Sequence, residues 1–183
     1  STLDSQISSR SSVTRVKAPA RGRVKYLPAA KGDDVLGVIG KYGALALIST
    51  DEKMQVEITT DQTLTLYSNV TVRWDGGKAT GMLYEKTPTG YLVTLKDNGT
   101  PYQATAQVYD GDVLLGEGTL DIHAPVAVLA SGGEITDVKV DENDFVYANT
   151  NLFSLENAPA GASYNTAYAD RAEKAALYSL LLT

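Results

Sequence analysis

The sequence predicts a mainly β protein of short antiparallel strands, with helical segments at its two ends. Two observations predict the strands. Apolar and polar residues alternate with period two in Met54-Gln55-Val56-Glu57-Ile58 and Val70-Thr71-Val72-Arg73-Trp74, as half-buried strands require. Gly, Asp and Asn then punctuate the chain at intervals of about 8–12 residues, the spacing of barrels and sandwiches. A third observation, a change of composition near Asn157, predicts the C-terminal helix.

Taken in order, residues 1–12 are polar and Ser-rich, with only Leu3 and Ile7 apolar and four apart. This stretch reads as a polar lead-in or the end of a helix. From Val13 to about Glu156 the signal is β almost throughout. Asp75-Gly76-Gly77 supplies a hairpin turn between Val70–Trp74 and a strand from Lys78 to Tyr84. The strand Tyr91 to Leu95 runs into Lys96-Asp97-Asn98-Gly99, and Ala104 to Tyr109 into Asp110-Gly111-Asp112. Ile135 to Val140 and Leu152 to Leu155 complete the set. Ala158-Pro159-Ala160-Gly161-Ala162 reads as a hinge. Ser163 to Leu182 contains no Gly or Pro, and Tyr164, Tyr168, Ala172, Ala175 and Tyr178 recur at spacings of three and four. That is the stripe of a helix, which Ser163 or Asn165 is suited to cap.

Composition excludes much chemistry. The 183 residues are 43% hydrophobic and 21% charged, enough apolar material for one large or two small domains. No cysteine is present, which removes disulfides, thiolate metal sites and Cys nucleophiles. His123 is the single histidine, so His-pair metal motifs are absent and a His-based triad is disfavoured. The formal charge of −6 lacks the basic footprint of a nucleic-acid binder. No apolar run approaches the ~20 residues that span a bilayer, so this segment is expected to be soluble. Any targeting or anchoring segment is expected to have been removed or to lie outside it.

The most informative feature is an internal repeat. Val16-Lys17-Ala18-Pro19-Ala20-Arg21-Gly22-Arg23-Val24, followed by Lys31-Gly32-Asp33-Asp34-Val35, is echoed by Ile122-His123-Ala124-Pro125, Gly133-Glu134-Ile135 and Glu142-Asn143-Asp144-Phe145-Val146. Gly22 to Asp33 spans 33 − 22 = 11 residues and Gly133 to Asp144 spans 144 − 133 = 11. Val24 to Val35 and Ile135 to Val146 keep the same spacing. Leu45–Ile48 and Leu152–Leu155 close the copies. The fronts differ: Ala18-Pro19 stands four residues before its Gly, Ala124-Pro125 nine. Each unit reads as strand, bend, strand, turn, strand. A unit of about 35 residues cannot bury its own apolar face, so the two should pair.

Ala-Pro-x-x-Gly-x-Val with Gly-Asp-x-Val-type spacing resembles the lipoyl/biotinyl barrel-sandwich hybrid, a fold of two half-motifs. A β-rich stretch between the halves, with helical segments at both ends, resembles the HlyD-like membrane fusion proteins, the adaptor subunits of efflux and type I secretion pumps. The resemblance covers about 13–183. It implies a lipoyl-like module from 13–50 and 121–157, a β-barrel module at 51–120, and a hinge and helix at 158–183. It implies a non-enzymatic adaptor on the extracytoplasmic, periplasmic or cell-surface side of the cytoplasmic membrane. Its expected partners are an ABC- or RND-type transporter subunit and further copies of itself, with a membrane-anchored parent and no cofactor. The order departs from the family's usual one, where a helical hairpin lies between the halves and the barrel follows.

The same fold raises a rival chemistry. Asp51-Glu52-Lys53-Met54 contains a Lys-Met pair, and a biotin or lipoyl carrier would use Lys53. Glu precedes that lysine where the biotin motif has Met, and the strand Met54 to Ile58 begins directly after it, so a surface lysine is favoured. Asp141, Glu142, Asn143 and Asp144 supply oxygen ligands of the calcium type, but they coincide with the repeat's turn and read as that turn. Asp33-Asp34 reads the same way. His123 reads as a solvent-facing strand residue. No metal site and no catalytic constellation are expected. Asn98-Gly99-Thr100 fits the glycosylation sequon but reads as a turn. The third alternative is an extracellular structural or adhesion module, which requires neither paired halves nor a terminal helix.

Overall fold

A computed structural model describes residues 13–158; the terminal helical segments expected at 1–12 and 163–182 lie outside these. The described chain is mainly β and divides into two compact units: residues 13–50 with 125–158, and Asp51–Ala124.

The second unit is a closed six-stranded barrel. Its strands are β4 (Lys53–Thr59), β5 (Asn69–Trp74), β6 (Gly77–Lys86), β7 (Gly90–Lys96), β8 (Thr105–Asp110) and β9 (Val113–Ile122), in the order β4-β7-β6-β5-β8-β9. Closure leaves no free edge. The alternation in the sequence becomes an inside and an outside. Met54, Val56 and Ile58 of β4, Val70 and Val72 of β5, and Val93 and Leu95 of β7 are buried, and Lys53, Glu57 and Arg73 are exposed. A Cβ on Gly118 would fall on the Glu57 carbonyl, so this β9 position accepts only glycine where the strands approach closely. Because β9 runs on to Ile122, residues 121–124 belong to the barrel, and the second half of the other unit starts at Pro125.

The first unit holds β1 (Thr14–Lys17), β2 (Gly22–Tyr26), helix α1 (Val35–Tyr42), β3 (Ala46–Ser49), β10 (Pro125–Val128), β11 (Glu134–Val138), β12 (Phe145–Val146) and β13 (Asn151–Glu156). They form a three-stranded sheet, β1-β13-β11, and a four-stranded sheet, β10-β3-β2-β12. The two halves exchange strands reciprocally. β1 of the first half pairs with β13 of the second, while β10 of the second pairs with β3 of the first.

The exchange holds bond by bond. The Val24 N–H donates to the Asp144 carbonyl at 2.9 Å, and the Ile135 N–H to the Asp33 carbonyl at 2.9 Å. The Asn143 N–H donates to the Val24 carbonyl at 2.6 Å, and the Gly32 N–H to the Ile135 carbonyl at 2.7 Å. Both turns are tied the same way, Ala30 N–H to Asp33 Oδ2 and Asp141 N–H to Asp144 Oδ2, each at 2.9 Å. Arg23 faces Phe145 in the ladder, and Glu134 faces Asp34 in an isolated bridge. The offset is constant, 134 − 23 = 111 and 145 − 34 = 111. A bulge interrupts β2 between Val24 and Tyr26, and β11 between Ile135 and Asp137. This reciprocity is the relation a two-fold axis generates. Equivalent residues from both halves, such as Val24 and Ile135 or Val35 and Val146, fill one core.

Two sequence expectations need correction here. The Ala-Pro pairs are not equivalent. Val16 pairs with Phe153 and Val128 with Ala46, and these partners correspond, so Ala18 matches Ala130 rather than Ala124. Pro125 opens β10, where a missing N–H is harmless, and Gly132-Gly133 makes the second half's bend instead. The other correction is α1, which stands where β structure was expected. The Asp34 carboxylate accepts from the Gly37 N–H at 2.9 Å and caps its start, and Gly43 at φ 86° ends it, donating to the Ile39 carbonyl. Val35 and Val38 bury the inner side of the helix.

The barrel is an insertion. Ser49 and Pro125 are cross-strand partners in the β3–β10 pair, so Asp51–Ala124 replaces what would otherwise be a hairpin loop.

Candidate functional site

The residues singled out for chemistry are Lys53, His123 and the Asp141–Asp144 turn. Lys53 opens β4, with its Cα opposite Lys96 of β7. Its N–H donates to Asp51 Oδ1 at 3.0 Å and its carbonyl accepts from the His123 N–H at 3.2 Å. Its backbone is therefore stitched into a strand start, whereas a carrier lysine stands on a projecting hairpin tip. Beside it lies a cavity of about 380 Å³ on the barrel, lined among others by Asp51, Glu52, Lys53, Thr80, Met82 and Lys96. Two carboxylates and two ammonium groups balance there, which favours no particular ion.

His123 makes contacts through both ring nitrogens and through its ring. It follows β9 directly, and that position turns it back over β4. Nδ1 lies 2.9 Å from Gln55 Oε1, so Nδ1 carries the proton in this arrangement. Nε2 faces Asp51 Oδ2 at 3.9 Å, inside ion-pair range but too long for a hydrogen bond. The ring meets Tyr84 edge-on, centroids 5.3 Å apart. Tyr84 is aimed outward by a bulge in β6 between Leu83 and Glu85. With one-fifth of its side chain exposed, His123 packs against the barrel rather than facing solvent as its sequence position suggested. Asp121, opposite Gln55 in the ladder, has its pKa raised by burial, an effect opposed by the bond it accepts from the Ile122 N–H at 2.7 Å.

A carboxylate, an imidazole and an amide in a row can orient one another, which fixes the ring's direction. The arrangement joins the first residues of the barrel to its last, because Asp51 and His123 flank the two chain crossings. Among the described residues no group of three or more acidic or histidine side chains is placed to hold a metal ion. The Asp144 carboxylate closes the turn by accepting from the Asp141 N–H, and Asn143 stands at φ 72° with its Oδ1 accepting from Lys25 Nζ at 2.8 Å.

Sequence reasoning missed Gln55, Tyr84 and Asp121 around His123. Gln55 and His123 lie 68 residues apart, and only barrel closure brings them together. It also missed a cation–aromatic group on the first unit. The Phe145 ring has the guanidinium of Arg21 at 5.7 Å and that of Arg23 at 5.9 Å, and Tyr147 meets it edge-on at 5.4 Å. That group follows from the register that sets Arg23 opposite Phe145, which the sequence alone does not reveal.

Compared with known proteins, the chain matches no family model, no curated sequence and no solved structure. Among the described residues no helix is long and apolar enough to cross a membrane.

Proposed function

We propose that this chain is a non-enzymatic adaptor, the ectodomain piece of an HlyD-like membrane fusion protein serving an efflux or secretion transporter. The single observation behind the reading is the reciprocal pairing of the two half-motifs, with the bonds around β2 and β11 repeated at a 111-residue offset and a closed barrel inserted between the halves in the chain. Two strand-exchanged halves are what a lipoyl-like barrel-sandwich hybrid consists of, and a separate small barrel beside it is the adaptor combination. In this reading the unit of residues 13–50 and 125–158 is the lipoyl-like module, and both units act as rigid spacers outside the cytoplasmic membrane. The parent protein is membrane-anchored. Its partners are an ABC- or RND-type transporter subunit and further copies of the chain, and transport energy comes from the transporter.

The carrier alternative draws less support, because Lys53 lies in a strand start with both backbone groups bonded. An extracellular structural module would account for the barrel but has no need of the strand exchange.

Affinity purification of the full-length parent from membranes of the producing cell tests the adaptor reading. Recovery of an ABC- or RND-type transporter subunit, together with loss of that transporter's export when the parent gene is deleted, is the expected result. Unchanged export with no transporter recovered overturns it. Intact mass after co-expression with biotin and lipoate ligases should be unmodified. A mass gain abolished by Lys53→Ala would establish the carrier instead.

A further inference from the structure

Two lysines stand directly opposite each other on the barrel. Lys53 of β4 and Lys96 of β7 are partners in the ladder, so both side chains leave the same outer face. Like charges so placed weaken a sheet. Neither ammonium group has an ion-pair partner among the described residues, and both line the cavity on the barrel. Thr94 and Met82, a cross-strand pair of β7 and β6, line it too and form the next row of that face. Thr94 is only 5% exposed, and its hydroxyl has no hydrogen-bond partner among the described residues. A buried hydroxyl left unpaired costs stability. The cavity therefore gathers positive charge and a hydroxyl that the fold itself leaves unanswered.

The cavity's two carboxylates, Asp51 and Glu52, come from the turn before β4. Asp51 Oδ1 accepts from the Lys53 N–H at 3.0 Å, and Oδ2 faces His123 Nε2 at 3.9 Å. His123 follows β9, so this contact draws the carboxylate to the β9 side of β4, whereas Lys96 stands on the β7 side. The four charges sum to zero, but they are segregated. Carboxylates come first, then the two ammonium groups and Thr94, then Met82 on β6.

We propose that this trough binds a small zwitterion, a free amino acid with an aliphatic side chain. Its carboxylate lies between Lys53 and Lys96 and accepts from the Thr94 hydroxyl. Its ammonium group meets Asp51 and Glu52, and its side chain runs over Met82. A simple anion would satisfy the lysines and meet the carboxylates, and a simple amine would do the reverse, so only a ligand carrying both charges matches the segregation. The volume of about 380 Å³ falls toward the lower end of small-molecule sites, roughly 300–1,000 Å³, which suits one amino acid. The site lies wholly within Asp51–Ala124 and is independent of the adaptor reading.

Calorimetric titration of the full chain with L-leucine at millimolar concentration tests it. Two controls keep leucine's apolar skeleton: 4-methylpentanoate lacks the amine, and 3-methylbutylamine lacks the carboxylate. Leucine should bind, and each control should bind about tenfold or more weakly, because each leaves one pair of charged groups unanswered. Lys53→Gln, Lys96→Gln and Thr94→Val should each weaken leucine binding by about fivefold or more. The free variants should melt no lower than the native chain, since each change removes a like-charge pair or a buried unpaired hydroxyl. That combination, binding lost with stability kept, is one a purely structural role for these residues would not give. Absence of leucine binding, equal binding of either control, or variants that bind leucine as well as the native chain overturns the proposal.

Discussion

Gly22 and Gly133 occupy the same place in their half-motifs, and each is packed against the carbonyl of the corresponding closing strand. A Cβ on Gly22 would fall on the Ser49 carbonyl, and one on Gly133 would lie 2.8 Å from the Glu156 carbonyl. Both also have positive φ, 155° and 108°, which L side chains rarely adopt. Gly22→Ala and Gly133→Ala should each lower stability by about 1–3 kcal/mol, seen as a fall in the urea midpoint. These glycines were legible in the sequence because the turn chemistry is local. The neighbours of His123 were not, since register across a closed barrel decides them. Asp121 shows the same division. Burial raises its pKa, so the folded state holds its proton more tightly than the unfolded chain does. Its contribution to stability is therefore most favourable below the ordinary Asp range and is lost as pH rises through the raised folded value. Asp121→Asn keeps the Oδ1 acceptor for the Ile122 N–H and removes the buried charge. The variant should be more stable than the native protein at neutral pH, and the difference should vanish by about pH 3. Chemical denaturation at the two pH values measures it.

At the scale of elements, the strands followed their alternation while α1 did not announce itself. Val35–Tyr42 is only eight residues and includes Gly37 and Gly40, both poor helix formers. Its Asp33-Asp34 start reads equally well as a strand entry, the form its counterpart Asp144-Phe145 adopts on entering β12. What makes the helix is a cap at each end and a core waiting for Val35 and Val38. Asp34→Ala should cost about 1 kcal/mol, a fall of roughly 2–4 °C in Tm for a chain of this size. Asp34→Ser should recover most of it. The bulges in β2, β11 and β6 were equally hidden, because an extra residue in one strand is defined only by its partner. The one in β6 matters for the site, since it presents Tyr84 to His123.

At the scale of the whole molecule, the barrel sits in the chain as a replaced loop. Ser49 faces Pro125 across β3 and β10, and Met54 faces Ile122 across β4 and β9, so both units close on chain ends that lie side by side. Excision of 51–124, with Thr50 joined to Pro125 through a short Gly-Asn turn, should leave the remaining unit folded. Asp51–Ala124 expressed alone should fold cooperatively, whereas 13–50 alone should not, because β1 and β3 take partners from the second half. Circular dichroism melts of the three chains check this. The adaptor reading lives at this scale, since it requires the halves to be joined. By itself the sequence determined the β character, the turns and the existence of a repeat, because alternation, glycine and Asx chemistry act over a few residues. Only the tertiary structure decided which Ala matches which, where His123 points, and that Arg23 and Glu134 stand at equivalent edges. Those depend on hydrogen-bond register between strands a hundred residues apart, where local preferences carry no information.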